Sequence, residues 1–227
     1  MLVGFERLAL EAKFLDRARE FYATHLDRSP VRERGGEVAF DVGGAELVLR
    51  EPGPVPRGGV HTHYALATPP DRYAAWYDRL SESFDLVEFD FGDATSLYFY
   101  DPDGNCVEIG SCGSGDADLA GVFEVALEVE DLSRAESFYG SLGFEVVDRG
   151  DQRRRTRLAG PVALELWEPQ RGIADARGAL HADLTFAAED PNAAAEAVRA
   201  DACEVREVEA GVRVRDPDGH YLTFESA

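Results

Sequence analysis

The apolar and polar positions of this chain follow a pattern whose period switches between that of a strand and that of a helix. Residues 3–10 (VGFERLAL) have the short apolar run of a strand. Residues 15–26 then carry apolar side chains at helical spacing, and strand-like segments follow at 30–34, 37–42 and 45–50. The first part of the chain therefore predicts the element order β-α-β-β-β.

The same order returns three more times. The predicted strand, helix and three strands lie at 61–68, 71–80, 85–91, 96–100 and 106–110, then at 122–129, 132–142, 144–149, 153–159 and 162–168, and finally at 181–186, 191–200, 203–208, 211–215 and 220–225. We therefore predict an α+β fold of four βαβββ modules paired into two tandem domains. Pro/Gly-rich and Ser/Gly-rich linkers place the domains at 1–112 (modules 1–52 and 59–111) and 119–227 (modules 120–169 and 178–227).

Short motifs recur at nearly constant offset and indicate duplication. Phe21-Tyr22 returns as Phe138-Tyr139, and Asp101-Pro-Asp-Gly returns as Asp216-Pro-Asp-Gly. Asp-Pro-Asp-Gly is typical of a tight turn, because proline presets φ and glycine accepts positive φ. Each copy therefore predicts a hairpin.

The two hairpins differ at one position. The first carries Glu108 among apolar residues, where the second has Thr223. Burial of a carboxylate without a partner is costly, so Glu108 is the first candidate for a functional residue.

The charge of the chain is strongly acidic. The 227 residues have a net charge of −21, and Lys13 is the single lysine among 23 basic residues. This composition favours a protein of a salt-rich cytoplasm, where acidic surface groups stay hydrated and their repulsion is screened. It argues against nucleic acid or an anionic membrane surface as a partner.

Other features of the composition predict the compartment. Cys106, Cys112 and Cys203 form no CxxC pair and are odd in number, which is typical of free thiols in a reducing compartment. No apolar run approaches the length that spans a bilayer, and the first ten residues lack the layout of a signal peptide. We expect a cytoplasmic protein, a monomer or a homodimer.

The motifs together resemble a known family. The segment 131–139 (DLSRAESFY) is followed by Leu142-Gly-Phe144, and the hairpin of the first half reads DPDGNCVEI. These patterns are similar to those of the vicinal oxygen chelate superfamily. That superfamily includes glyoxalase I, fosfomycin-resistance proteins, bleomycin-binding proteins and extradiol dioxygenases.

The resemblance implies paired βαβββ modules whose sheets curl into a cup, with metal ligands on the first and last strands of each module. Carried over by position, the ligand sets are Arg7, Val48, His63 and Glu108 in the first domain, and Glu124, Glu165, His181 and Thr223 in the second. Both sets depart from the glyoxalase I and extradiol-dioxygenase patterns, so the resemblance predicts a fold and leaves the reaction open.

In the first domain we expect His63 and Glu108 to bind a divalent metal, with Glu108 also acting as the catalytic base. His61 lies two residues before His63, so both imidazoles face the same side of a strand, and His61 is a candidate third ligand. The alternatives are that His61 lies in solvent and that Glu108 pairs with Arg7.

The second domain offers an alternative site of one histidine and two carboxylates: Glu124, Glu165 and His181. Such a set suits a harder metal. The other interpretation is a structural copy in which these groups hydrogen-bond to one another.

Three residues are candidates for substrate binding. Arg7 could clamp an anionic substrate, and Tyr98 and Tyr100 share a strand face and could line the cup. Ordinary half-buried sheet aromatics would look the same.

The function remains open between two main classes. One is an enzyme that uses Fe, Mn, Ni or Zn and acts on a small substrate with neighbouring oxygens, as a lyase or a dioxygenase-like enzyme. The other is a metal-free protein of the resistance type that sequesters a small molecule. A homologue without a ligand is a third possibility.

The acidic composition leads to a prediction about salt. At molar salt the Debye length is about 3 Å, so repulsion among the surface carboxylates is screened, and on dilution it returns. We expect the melting temperature to fall when the protein is moved from molar to millimolar salt. A scanning calorimetry series in which the melting temperature stays constant would contradict the interpretation of salt adaptation.

Overall fold

The computed structural model describes residues 1–54, 63–150, 154–169 and 182–227. Within them the order βαβββ occurs four times, which confirms the predicted α+β fold of paired modules. The first two modules contain β1 (Leu2–Glu11), α1 (Leu15–His25), β2 (Arg32–Arg34), β3 (Glu37–Asp41), β4 (Glu46–Arg50), β5 (His63–Ala67), α2 (Tyr73–Ser81), β6 (Val87–Asp90), β7 (Thr95–Tyr100) and β8 (Cys106–Gly110). The last two contain β9 (Val122–Glu128), α3 (Leu132–Ser141), β10 (Glu145–Arg149), β11 (Arg155–Ala159), β12 (Ala163–Trp167), β13 (Asp183–Ala188), α4 (Pro191–Val198), β14 (Glu204–Val208), β15 (Gly211–Arg215) and β16 (Tyr221–Ser226).

The chain divides into two compact units that are each built from separate stretches of sequence. Unit I contains Met1–Ala9 and Val125–Ala227, and unit II contains Leu10–Pro52 and His63–Glu124. These units follow spatial contacts, whereas the limits 1–112 and 119–227 follow the sequence repeat and stay a prediction. None of the helices in the described residues has the length and apolar character needed to cross a bilayer.

Helix starts are encoded by aspartates in the second half of the chain. Asp131, the first residue of the DLSRAESFY motif, caps α3 by accepting a hydrogen bond from the backbone N–H of Arg134. Asp190 caps α4 by accepting from the N–H groups of Asn192 and Ala193, and Pro191 occupies the first turn. These caps satisfy N–H groups that the helix itself leaves without acceptors.

In unit II, β8 is the strand that organises the sheet. It pairs in parallel with β5 and antiparallel with β7, and β7 pairs antiparallel with β6. Helix α2 contacts β8 and buries Trp76 and Leu80, whereas α1 contacts β3 and β4 and buries Ala18 and Tyr22. Helices therefore cover one face of these strands, which leaves the other face to carry polar side chains.

Unit I repeats this arrangement with β16 in the place of β8. It pairs in parallel with β13 and antiparallel with β15, β15 pairs with β14, and β1 pairs antiparallel with β13 through Leu2–Ala9. Helix α4 contacts β13, β15 and β16 through its buried face, which includes Ala195 and Val198. The strands β10, β11 and β12 form an antiparallel ladder in the same unit.

Both predicted hairpin turns are present and are built around a buried aspartate. The Oδ1 of Asp101 accepts hydrogen bonds from the backbone N–H groups of Asp103 (2.9 Å) and Asn105 (2.8 Å). Its Oδ2 accepts from the Asn105 side chain at 2.7 Å and from the Tyr22 hydroxyl at 2.8 Å. Gly104 has φ of +83°, the conformation that the sequence predicts for a glycine at this point.

The second turn repeats this network. The Oδ1 of Asp216 accepts from the N–H groups of Asp218 and His220, and its Oδ2 accepts from the Tyr139 hydroxyl at 2.8 Å. The two repeated motifs of the sequence, Phe-Tyr and Asp-Pro-Asp-Gly, therefore meet in each unit. Burial raises the pKa of Tyr22 and of Tyr139 well above the ordinary value, so both hydroxyls stay protonated as donors.

The Tyr–Asp contact predicts a matched pair of stability defects. Tyr22→Phe and Tyr139→Phe each remove one donor to a buried carboxylate, so each should lower the free energy of unfolding by about 1–3 kcal/mol. Urea denaturation in molar salt measures the loss. The control is Tyr77→Phe on the exposed side of α2, which should change stability by less than about 0.5 kcal/mol. Equal stability of all three variants would show that the contact contributes nothing.

Candidate metal centre

Three side chains of unit II bring ligand atoms together: His63 at the start of β5, Glu108 in β8 and Glu124 in β9. One ligand atom of each lies within 4.8 Å of the others. The Nε2 of His63 lies 2.9 Å from the Oε2 of Glu108. Glu108 and Glu124 are both 4% exposed, so the two carboxylates are buried in the same small volume.

The strand register explains why Glu108 and His63 meet. Glu108 lies opposite Ala65 on one side and opposite Tyr98 on the other. His63 is two residues from Ala65 and therefore projects to the same face, diagonally adjacent to Glu108. The small side chain of Ala65 leaves the space beside the carboxylate to the imidazole.

Strand pairing brings Glu124 to this site, because β9 lies beside β5 and begins where the N–H of Ala67 donates to the carbonyl of Gly121 at 2.9 Å. Gly110 makes room for the residue before Glu124. A Cβ at residue 110 would lie 2.9 Å from ring carbons of Phe123 and 3.1 Å from the Oγ of Ser96. Only glycine leaves room for the Phe123 ring at this point on β8. The residue that precedes Glu124 is thereby packed two positions beyond Glu108.

The negative charge of Glu108 raises the pKa of two neighbouring groups. Burial, and then the charge of Glu108, raise the pKa of the Tyr98 hydroxyl well above its ordinary value, and a hydrogen bond to Glu108 adds to the shift. Burial and the same charge raise the pKa of the Cys106 thiol to about 11. Tyr98 is therefore a neutral donor to Glu108, and Cys106 is a neutral thiol on the same strand face.

Aromatic side chains extend from the site along β7 and β6. The Tyr98 ring centroid lies 5.8 Å from that of His63 and 5.6 Å from that of Phe89. Phe89 and Tyr100 are more than half exposed. Tyr98 thus contacts His63 and Glu108, whereas Tyr100 lies at the margin of the cluster, opposite Cys106, and a role of either in substrate binding stays a prediction.

Two other predicted site residues make ion pairs in unit I. The Nη1 of Arg7 lies 3.4 Å from the Oε1 of Glu225, and the Oε1 of Glu165 lies 2.6 Å from the Nη1 of Arg155. Glu108 is paired with His63 rather than with Arg7. His61 and His181 lie outside the described residues, and their predicted roles stay predictions.

Glu124 is the candidate ligand that the sequence assigns to a different group. Because it follows the linker between the two halves of the repeat, the sequence groups it with Glu165 and His181. The structure brings it to His63 and Glu108 instead. A set of one histidine and two carboxylates is thus expected in the second domain and is found around the histidine of the first.

The donor set fits a divalent cation. Two buried carboxylates within 4.8 Å of each other repel, and a shared cation removes that cost. One imidazole nitrogen with carboxylate oxygens is a ligand combination used for first-row metals, with the carboxylates favouring the harder ions. The three residues that would hold the ion are His63, Glu108 and Glu124.

Comparison with known proteins identifies the family to which this architecture corresponds. The model of the Glyoxalase/Bleomycin resistance protein/Dioxygenase superfamily matches residues 4–109 and again 121–224. The Metallothiol transferase FosB of Staphylococcus haemolyticus is 28% identical over 116 residues, which are 48% of this chain and 84% of that protein. The Metallothiol transferase FosB of Staphylococcus epidermidis matches with the same identity and coverage.

Solved structures match the whole fold. A V278E mutant of glyoxalase I from Zea mays has a TM-score of 0.71 with 19% identity, covering 98% of this chain and 92% of that one. A putative dioxygenase from Bacillus subtilis subsp. subtilis str. 168 has a TM-score of 0.72 with 16% identity, covering 99% and 85% of the two chains. At this identity the likeness concerns the fold.

The shifted pKa of Cys106 predicts low reactivity. A thiol with a pKa of about 11 has roughly a hundredfold less thiolate at pH 8 than an unperturbed thiol. We expect iodoacetamide to label the exposed Cys203 about 100 times faster than the buried Cys106 at pH 8, as followed by peptide mass spectrometry. The difference between the two labelling rates should become smaller as the pH rises toward 11. Comparable labelling rates at pH 8 would show that Cys106 is an activated thiol and reopen a ligand role for it.

Proposed function

The chain belongs to the Glyoxalase/Bleomycin resistance protein/Dioxygenase superfamily, and on that premise we propose that it is a divalent-metal-dependent enzyme. It acts on a small substrate that presents two neighbouring oxygens. The matched relatives are named for thiol transfer, the glyoxalase I reaction and dioxygenation. Because these activities differ, we propose only the substrate class and the roles of the site residues, and no single reaction.

The observation that carries the proposal is the cluster of His63, Glu108 and Glu124. An imidazole and two buried carboxylates from three different strands lie within 4.8 Å of one another. Three ligands from one side leave coordination positions for the two oxygens of a substrate. When bound, the ion would supply Lewis-acid polarisation of the substrate oxygens, and Fe, Mn, Ni and Zn are the candidates.

The chain's own groups divide the remaining tasks. Glu108 is the proposed base, because a carboxylate next to the substrate can hold a proton that the substrate loses. Tyr98 keeps that carboxylate oriented through its hydroxyl, which burial keeps protonated. The exposed Phe89 ring beside Tyr98 offers an apolar contact for the part of the substrate that carries no oxygen.

The direct contact between His63 and Glu108 favours a second candidate function. The Nε2 to Oε2 distance of 2.9 Å satisfies both groups by a hydrogen bond without an ion. A metal-free protein that sequesters a small molecule against Tyr98 and Phe89 would have this arrangement. Cytoplasmic location and salt adaptation remain predictions from the sequence under either function.

Metal analysis separates the two functions. Protein equilibrated with Mn²⁺ or Zn²⁺ in molar salt should retain about one ion per chain by elemental analysis, since all three ligands lie in one unit. Glu108→Gln and Glu124→Gln should each weaken retention at least tenfold by removing a charged ligand. His63→Ala should do the same by removing the nitrogen ligand.

Glu88→Gln is the matched control. It removes one carboxylate from the same unit: Glu88 lies on the exposed strand β6 and accepts a hydrogen bond from the hydroxyl of Tyr73 in α2. Its retention of metal should equal that of the wild type. Wild-type protein that takes up none of the four candidate metals would eliminate the enzyme proposal in favour of the sequestering protein.

A further inference from the structure

The strand face of unit I that corresponds to the metal-site face carries arginines. In register across four strand pairs, Arg206 lies opposite Arg213, Arg213 opposite Thr223, Thr223 opposite Thr185, and Thr185 opposite Arg7. Directly opposed residues project to the same face of a sheet. We call this set of three guanidinium groups and two hydroxyls the arginine row.

Arg213 is held in place by two buried residues of this face, Thr223 and Asp183. Its Nε donates to the Oγ1 of Thr223 at 3.0 Å, and its Nη2 lies 3.2 Å from the Oδ2 of Asp183. Asp183 and Thr223 are both 2% exposed, whereas the Arg213 side chain keeps a quarter of its surface accessible. These contacts fix the guanidinium and leave its Nη1 donors directed to neither partner.

Arg206 and Arg213 both lie near the ring of Tyr221. The guanidinium carbons of Arg206 and Arg213 lie 6.0 and 5.6 Å from the centroid of the same ring, that of Tyr221. Each guanidinium gains cation–π attraction of about 0.5–1 kcal/mol at an exposed site. The shared ring thus brings two positive charges to one place on this face, where an anion would be attracted by both.

Arg215 adds a third guanidinium at this end of the row. It lies two residues beyond Arg213 in β15 and therefore projects to the same face. Its Nε is shielded from solvent and has no hydrogen-bond acceptor among the described residues. A buried donor without an acceptor is costly, and a small movement of the Arg215 side chain that brought its Nε to an anion oxygen would remove that cost.

Among the described residues named at this end of the row, three arginines face two carboxylates. Arg206, Arg213 and Arg215 are balanced by Asp183, which pairs with Arg213, and by Glu204, which lies 3.5 Å from Arg206. The excess is unusual on a chain whose net charge is −21. Arg7, at the far end of the row, is already paired with Glu225.

We propose that Arg206, Arg213 and Arg215 form a binding site for a small oxyanion, with Tyr221 and Thr223 as its floor. The ligand carries a carboxylate or phosphate group, because a guanidinium matches two oxygens of either group at once. The Thr223 hydroxyl accepts from Arg213 and so has its own proton to donate to the anion. The site is separate from the metal cluster, whose three ligands belong to unit II.

Isothermal titration with inorganic phosphate, and separately with oxalate, tests this site at constant sodium chloride. We expect saturable binding of one anion per chain, with the tighter probe identifying the phosphate or carboxylate class. Arg213→Gln should weaken binding at least tenfold, and Arg206→Gln should weaken it severalfold. Since Arg213→Gln also removes an ion-pair partner of the buried Asp183, the exposed Arg206→Gln is the variant on which the result depends.

Two control variants separate a specific loss of anion affinity from a general loss of positive charge or of metal. Arg199→Gln removes an exposed arginine from unit I outside the row and should leave the affinity unchanged. His63→Ala removes one candidate ligand of the metal cluster and should also leave the anion affinity unchanged. A loss of affinity in this variant would show that the anion binds to a metal ion in the cluster. Absence of saturable binding, or equal weakening in Arg199→Gln and Arg206→Gln, overturns the proposal.

Discussion

The buried aspartate that opens each hairpin turn is the constraint on which both polar faces depend. In Asp101 one oxygen holds the turn backbone, and the other holds the helix tyrosine and an asparagine amide. A turn fixed in this way sets the register of the strands that it joins. Register decides which side chain faces Glu108, because a shift by one residue would move every side chain to the opposite face.

The two proposed sites would give one scaffold two opposite chemistries. Glu108 lies between Ala65 and Tyr98, and its counterpart Thr223 lies between Thr185 and Arg213. Exchange of the carboxylate for a hydroxyl removes the charge that would attract a cation. Arginine in the place of the tyrosine then makes the same position attractive to an anion. The two halves of the repeat thus differ in the sign of charge carried by a single row of opposed residues.

Local sequence signals made the fold predictable. Only part of the candidate site could be predicted, because the rest depends on which strands pair in the folded chain. The βαβββ order follows from changes in hydrophobic period, and the turns follow from Asp-Pro-Asp-Gly, so both could be identified without coordinates. His63 and Glu108 could be identified because each stands at a distinctive position in the repeat. Glu124 could not be assigned to them, because β9 pairs with β5 across a long stretch of sequence and the repeat alone groups Glu124 with the second half. Arg213 and Arg215 gave no signal, since alternating arginines in a strand are typical of a solvated face.

Salt screens the electrostatic effect of the many surface carboxylates more strongly than it screens the interactions between buried groups on the two faces. In molar salt, surface charges more than about 3 Å apart are screened from one another, so the net charge of −21 exerts little force on an approaching ion. Buried groups are screened much less, because solvent ions do not enter between them. Glu108 and Glu124 at 4% exposure, and Asp183 at 2%, therefore keep their full local effect. For this reason a strongly acidic protein can carry a cationic face, provided that the cations are held beside buried partners.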